Sequence, residues 1–98
     1  MRWIWDAEKD RLNRTKHGIS FELAQLVFED SLALTVADPH VGEERWRTIG
    51  TPSIESDVVL LVVHTWPEPD EAGDEVGRII SARKATRRER RHYEEGKF

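Results

Sequence analysis

The residues best suited to hold a phosphate are arginines, and the chain gathers them. Residues 78–91, RIISARKATRRERR, contain Arg78, Arg83, Lys84, Arg87, Arg88, Arg90 and Arg91 against one carboxylate, Glu89. The net charge of the 98 residues is −4, so this stretch carries +6 and the remainder −10. A guanidinium presents a planar fork of N–H donors that matches phosphate oxygens. A basic strip on an acidic molecule directs a polyanion to one face. The plain alternative is a solvated, charge-rich helix at the end of the chain.

Four further groups have the right chemistry. Arg45 and Arg47 share one face of the alternating stretch ERWRTIG, with Trp46 on the other. Lys16 and His17 close a helical stretch, where cations are favoured on structural grounds alone. His64 follows the run VVLLVV, and an unperturbed histidine titrates near neutral pH, as a general acid or base requires. A half-buried histidine bonded to backbone fits the same position equally well. Trp46 suits base stacking or, as a strand residue, core packing. No two histidines have metal-ligand spacing and there is no cysteine, so neither a metal site nor a thiol nucleophile is expected.

These groups need a scaffold, and the length allows one domain spanning residues 1–98. The charged N-terminus is not that of a signal peptide. The longest apolar run, Val58–Val63, is far short of a membrane span. A cytoplasmic location is therefore expected.

RWIW reads as a short strand, and Asp6 caps a helix that ends at Gly18. Ser20 caps a second helix over FELAQLVF, whose Phe21, Ala24, Val27 and Phe28 form an apolar face. LALTV, ERWRTIG, DVVLLVVHTW and VGRIISA read as strands, with a turn at DPHVG. The third strand is apolar on both faces, so it belongs in the sheet centre. PEPDEAGDE reads as a solvated, mobile loop. Thr86-x-x-Glu89 is a capping box opening a last helix with almost no apolar stripe. The order β-α-α-β-β-β-β-α implies an α+β fold with an antiparallel meander and helices mainly on one face.

Four stretches together carry a family likeness. They are W-D-x-x-K-x-x-x-N-x-x-K-H-G-I-x-F (Trp5 to Phe21), D-x-L-A (Asp30 to Ala33), E-E-R-W-x-x-I-G (Glu43 to Gly50) and R-I-I-S-A-R-K-A-T-x-x-E-R-x-x-Y-E (Arg78 to Glu94). In this order and spacing the chain resembles the BrnT family of bacterial toxins over nearly its whole length. The resemblance implies a RelE-like α+β ribonuclease that cleaves RNA without a metal or other cofactor and stops translation. It also implies a BrnA-like antitoxin with a ribbon-helix-helix part, through which the pair would touch DNA. Two features depart from the family: the long acidic loop Pro67–Glu75 and the acidic overall charge.

Metal-free RNA cleavage needs a base for the 2′-OH, cations for the phosphoryl oxygens and an acid for the leaving oxygen. Arg83 and His64 by position and chemistry, and Arg45, Lys16 and His17 also by the family resemblance, are the catalytic candidates. Arg78, Lys84, Arg87, Arg88, Arg91 and Trp46 are the RNA-binding candidates. The alternative role for Arg83 and Arg45 is an ordinary surface arginine, for Arg83 one paired with a carboxylate. A second function remains open, a catalytically inactive RNA-binding or co-repressor module acting through its antitoxin. Convergence of Arg45, His64 and Arg83 on one phosphate separates the two.

Overall fold

The computed structural model describes residues 1–39 and 42–97. β1 (Arg2–Ile4) leads into α1 (Ala7–His17) and α2 (Phe21–Ala24), which tightens into a 3₁₀ stretch over Gln25–Glu29. β2 (Leu34–Asp38), β3 (Arg45–Gly50), β4 (Leu60–His64), β5 (Glu68–Pro69) and β6 (Glu75–Lys84) follow, and α3 (Arg87–Glu95) closes the order. The turn read at DPHVG includes His40 and Val41, which lie outside the described residues.

The helix boundaries follow local chemistry. Asp6 Oδ1 accepts from the Glu8 and Lys9 amides at 2.8 and 3.1 Å. Gly18 ends α1 at φ 74°, a left-handed conformation that favours glycine. Ser20 Oγ caps α2 through the Leu23 amide, and Thr86 and Glu89 form the reciprocal capping box of α3. The second helix was expected to run evenly to Phe28. It tightens instead because Phe21, Ala24 and Val27, all fully buried, recur every three residues. A 3₁₀ turn keeps that spacing on one face.

Among the described residues the sheet order is β1-β6-β4-β3-β2, with β5 paired to β6. β2, β3, β4 and β6 are antiparallel neighbours, as the meander requires. β1 departs from the expectation: it pairs with β6 in parallel, Trp3 opposite Gly77. α1 and α2 carry the chain from β1 to β2 at the far edge. The meander then returns, and β6 arrives beside β1 running the same way. Gly77 permits this join, because a Cβ there would strike the Trp3 ring. Trp3 in turn stacks on Phe28 at 3.8 Å between ring centroids.

The loop after β4 is built around Asp70. Asp70 Oδ1 accepts from the amides of Ala72 and Asp74, each at 2.9 Å, and Arg2 reaches Asp70 Oδ2 at 3.2 Å.

Alternation along the strands divides the core in two. Leu60, Val62, Ile79 and Ala82 face α1 and α2, against Phe21, Ala24 and Val27. Ile49, Val59 and Leu61 face the other way, toward Ala85 and Tyr93. Helices therefore cover both faces, with α3 alone on the second. Polar contacts hold α3 there. Tyr93 donates to Asp30 Oδ2 at 2.7 Å, Arg90 to the Asp57 carbonyl at 2.6 Å, and Arg83 forks onto Glu89. Buried Asn13 locks α1 to β6. Its Nδ2 donates to the carbonyls of Ile19 and Ala82, both at 2.8 Å, and its Oδ1 accepts from the Ala82 amide.

Candidate functional site

The strand alternation that divides the core also sorts the cations. Register puts Asp38 opposite Arg45 and Val36 opposite Arg47. It then puts Arg47 opposite Val63, Val63 opposite Ser81, and Leu61 opposite Arg83. All of these side chains lie on the sheet face away from α1 and α2. α3 covers only the end of that face nearest Ile49 and Leu61. The other end is open, and there Arg45 and Arg78 converge.

They meet on Glu43. Its Oε1 accepts from Arg78, and its Oε2 lies 3.4 Å from Arg45 Nη2. These two arginines come from separate strands and all three side chains stay partly open to solvent. Partial desolvation raises the Glu43 carboxyl, but the charge of Arg78 and the bond from Arg45 outweigh it, holding its pKa below the ordinary range. Glu43 is therefore an ionised carboxylate between two guanidiniums. Beside it Arg47 pairs with Asp38 at 3.3 Å. Arg45 Nε is buried without a hydrogen-bond partner among the described residues.

The other candidates are placed elsewhere. Arg83 is on the same sheet face but at the α3 end, where both terminal nitrogens hold Glu89 at 2.7 and 2.9 Å. The hydrogen bonds that Arg83 donates to Glu89 raise the Arg83 pKa, and the reciprocal effect lowers the Glu89 carboxyl to about 2. Arg87, Arg88 and Arg91 form the exposed side of α3, and no described carboxylate pairs with them. Lys84 is exposed at the end of β6. Lys16 and His17 end α1, which packs against β6 on the helix-covered side. Trp46 is half-buried on that same side, its ring centroid 4.8 Å from that of the more exposed Trp66.

His64 does not join the arginines. It is 2% exposed and points to the helix-covered face, edge-on to Trp3 and Phe28 at 5.2 and 4.8 Å. Alternation explains this: Leu60 and Val62 point inward, so His64 does too, and Thr48 across the ladder gives it a partner. Burial lowers its pKa, partly offset by its bond to the Thr65 carbonyl. The expected convergence of Arg45, His64 and Arg83 is thus replaced by that of Arg45, Arg78 and Glu43.

A family model described as the ribonuclease toxin BrnT of a type II toxin-antitoxin system matches residues 5–89. The chain belongs to the BrnT family. No curated protein is similar enough to the chain to serve as a relative. The matched span includes Glu43, Arg45, Arg78 and Arg83 and ends at the Glu89 that holds Arg83. A BrnT-family chain is thereby a ribonuclease toxin by family, with an antitoxin as its implied partner. Glu43, which joins the two arginines, was not singled out from sequence. The signal was present in Glu43-Glu44-Arg45, but nothing local says which carboxylate meets a strand 35 residues further on. Among the described residues no three His, Cys, Asp or Glu side chains gather as a metal set, and no helix is long and apolar enough to cross a membrane.

Proposed function

We propose that this chain is a metal-independent endoribonuclease with a RelE-like fold, cutting RNA on the open sheet face and so inhibiting translation. A BrnA-like antitoxin with a ribbon-helix-helix part neutralises it and provides any contact with DNA. The observation that carries the reading is the convergence of Arg45 and Arg78 on one carboxylate. A site that already holds a carboxylate between two guanidiniums suits a phosphate.

In this reading the RNA phosphate enters between Arg45 and Arg78, and Glu43 turns to the ribose. Glu43 takes the 2′-OH proton, and the 2′-oxygen bonds to phosphorus. The bond from phosphorus to the 5′-oxygen breaks, and that oxygen takes a proton from water. The products are a 2′,3′-cyclic phosphate and a 5′-hydroxyl. Arg45 and Arg78 stabilise the charge that builds on the phosphoryl oxygens. Arg87, Arg88 and Arg91 extend the same side of the molecule as a track for the RNA backbone.

The test is expression of the chain alone, with total RNA followed over time, beside Glu43→Gln and Arg83→Ala. RNA decay that Glu43→Gln slows by about 10²–10⁴-fold supports general-base use of Glu43. Equal decay by Glu43→Gln removes that role. A second reading, an RNA-binding or co-repressor module without catalysis, is favoured by one observation: His64, the histidine read as a general acid or base, is buried away from the arginines. Intact RNA from folded wild-type chain selects that reading.

A further inference from the structure

A cavity of about 250 Å³ lies on the opposite side of the sheet from Arg45 and Arg78. Its walls are aromatic: Trp3, Phe28 and Trp66. Its floor is polar, with Thr35, Thr48 and His64, and Glu75 stands at its edge. Nothing in the ribonuclease reading uses it.

The hydrogen bonds of the floor fix what it can recognise. His64 Nδ1 lies 2.8 Å from the Thr65 carbonyl, an oxygen that can only accept, so Nδ1 carries the proton. In this apolar setting the ring is neutral, and Nε2 accepts from the Thr48 hydroxyl at 2.7 Å. Thr48 Oγ1 has then spent its one proton, so at 2.7 Å it accepts from Thr35. The Thr35 hydroxyl proton points inward as well. His64 and Thr48 are buried and their bonds are spent within the floor, so the polar atom it presents is the exposed Thr35 oxygen, which offers lone pairs only.

A site with the Thr35 oxygen below, a carboxylate at the rim and three aromatic faces around it suits a cation carrying N–H donors. Apart from the ammonium group of Met1, which also lines the cavity, the surroundings are acidic. Pro67 and Glu75 of the cavity wall bound the turn 67–75, which holds five carboxylates and no basic residue. Arg2 neutralises only Asp70 of these. A nucleic acid is disfavoured here by the same charges that favour a cation.

We infer that this cavity receives the arginine or lysine side chain of a partner polypeptide. The toxin-antitoxin family supplies the class of partner, and the site is separate from the proposed RNA face. The acidic turn acquires a purpose: it draws a basic segment to the cavity mouth while the arginine face stays available to RNA. The inference stands whether or not the chain proves to cut RNA, since it uses none of the same side chains.

The test is a titration of the ¹⁵N-labelled full chain with N-acetyl-arginine amide, N-acetyl-norleucine amide and uridine monophosphate in parallel. The resonances followed are the indole N–H groups of Trp3 and Trp66 and the amides of Thr35 and Glu75. The arginine probe is expected to give saturable shifts there, with affinity at least about tenfold above the norleucine probe. Trp66→Ala and Glu75→Gln, both at exposed positions, are each expected to weaken it roughly threefold or more. An equal or stronger response to norleucine or to the nucleotide would overturn the inference. So would the absence of saturable shifts from the arginine probe up to its solubility limit.

Discussion

Arg83 is where a catalytic and a structural reading give opposite experimental results. Its fork onto Glu89 has N–O distances of 2.7 and 2.9 Å, with Glu89 16% and Arg83 36% exposed. A carboxyl held at about 2 instead of an ordinary 4.5 corresponds to about 3 kcal/mol. Arg83 is about a third open to water, and solvent screening reduces the expected net value to about 1–2 kcal/mol. Glu89→Gln keeps a side chain able to complete the capping box and removes only the charge. It is expected to lower Tm by roughly 5–10 °C at neutral pH in a domain of this size. The pH dependence has a definite sign. Because the folded pKa lies below the unfolded one, the stabilisation is complete above about pH 4.5 and is lost as pH falls toward 2. The Tm gap between wild type and Glu89→Gln should therefore be flat at neutral pH, narrow below about 4.5 and close near 2. Arg83→Ala should show a gap of similar size, and the double variant should cost less than the two single changes summed. Thermal melts by circular dichroism across this range decide the matter. An unchanged Tm in Arg83→Ala together with lost RNA cleavage would refute the reasoning and return Arg83 to the phosphate.

The remaining expectations separate site from scaffold. Arg45→Ala and Arg78→Ala should each reduce RNA cleavage by about 10²-fold or more, as loss of a phosphate-stabilising donor does, while thermal melts move by less than about 1 kcal/mol. Asn13→Leu leaves two carbonyls and one amide between α1 and β6 without their partner, and should cost about 2–4 kcal/mol by urea denaturation. Tyr93→Phe removes one hydrogen bond to Asp30, which also accepts from the Thr51 amide at 2.9 Å. It should cost about 1–2 kcal/mol and speed amide exchange first in α3.

How much was legible follows the range of the interaction concerned. Asp6, Gly18, Ser20 and the Thr86–Glu89 box act within four residues of themselves, and each lies where its local chemistry puts it. The doubly buried β4 was equally readable, because a run apolar at every position has no face left for water. The parallel pairing of β1 was not, since it depends on where the meander ends, 74 residues along the chain from Arg2 to Val76. The site divides the same way. Residue types alone brought out Arg45 and Arg78, but their meeting on Glu43 depends on the sheet register. Which of the two readings of His64 the fold adopts was not legible for a related reason. Its neighbours in sequence show that it is near a strand end, whereas its face is decided by the ladder to Thr48.

The gathered arginines of residues 78–91 are not one device. Arg78 is held by Glu43, Arg83 by Glu89, and Arg90 by the Asp57 carbonyl and Glu94. An α3 with only Tyr93 as a large apolar anchor needs such contacts, because burial alone would not keep it on the sheet. The outward side of the helix, Arg87, Arg88 and Arg91, does nothing for that attachment. Charge reversal at these three should leave the melting curve nearly unchanged. It should weaken binding of RNA, of the antitoxin, or of both, with a shallower salt dependence for RNA as phosphate contacts are lost. Filter binding over a salt series and calorimetry with the antitoxin measure the two separately. Unchanged affinity for both partners would mean that the exposed half of the cluster is only a solvated surface, and that recognition rests on Arg45 and Arg78 alone.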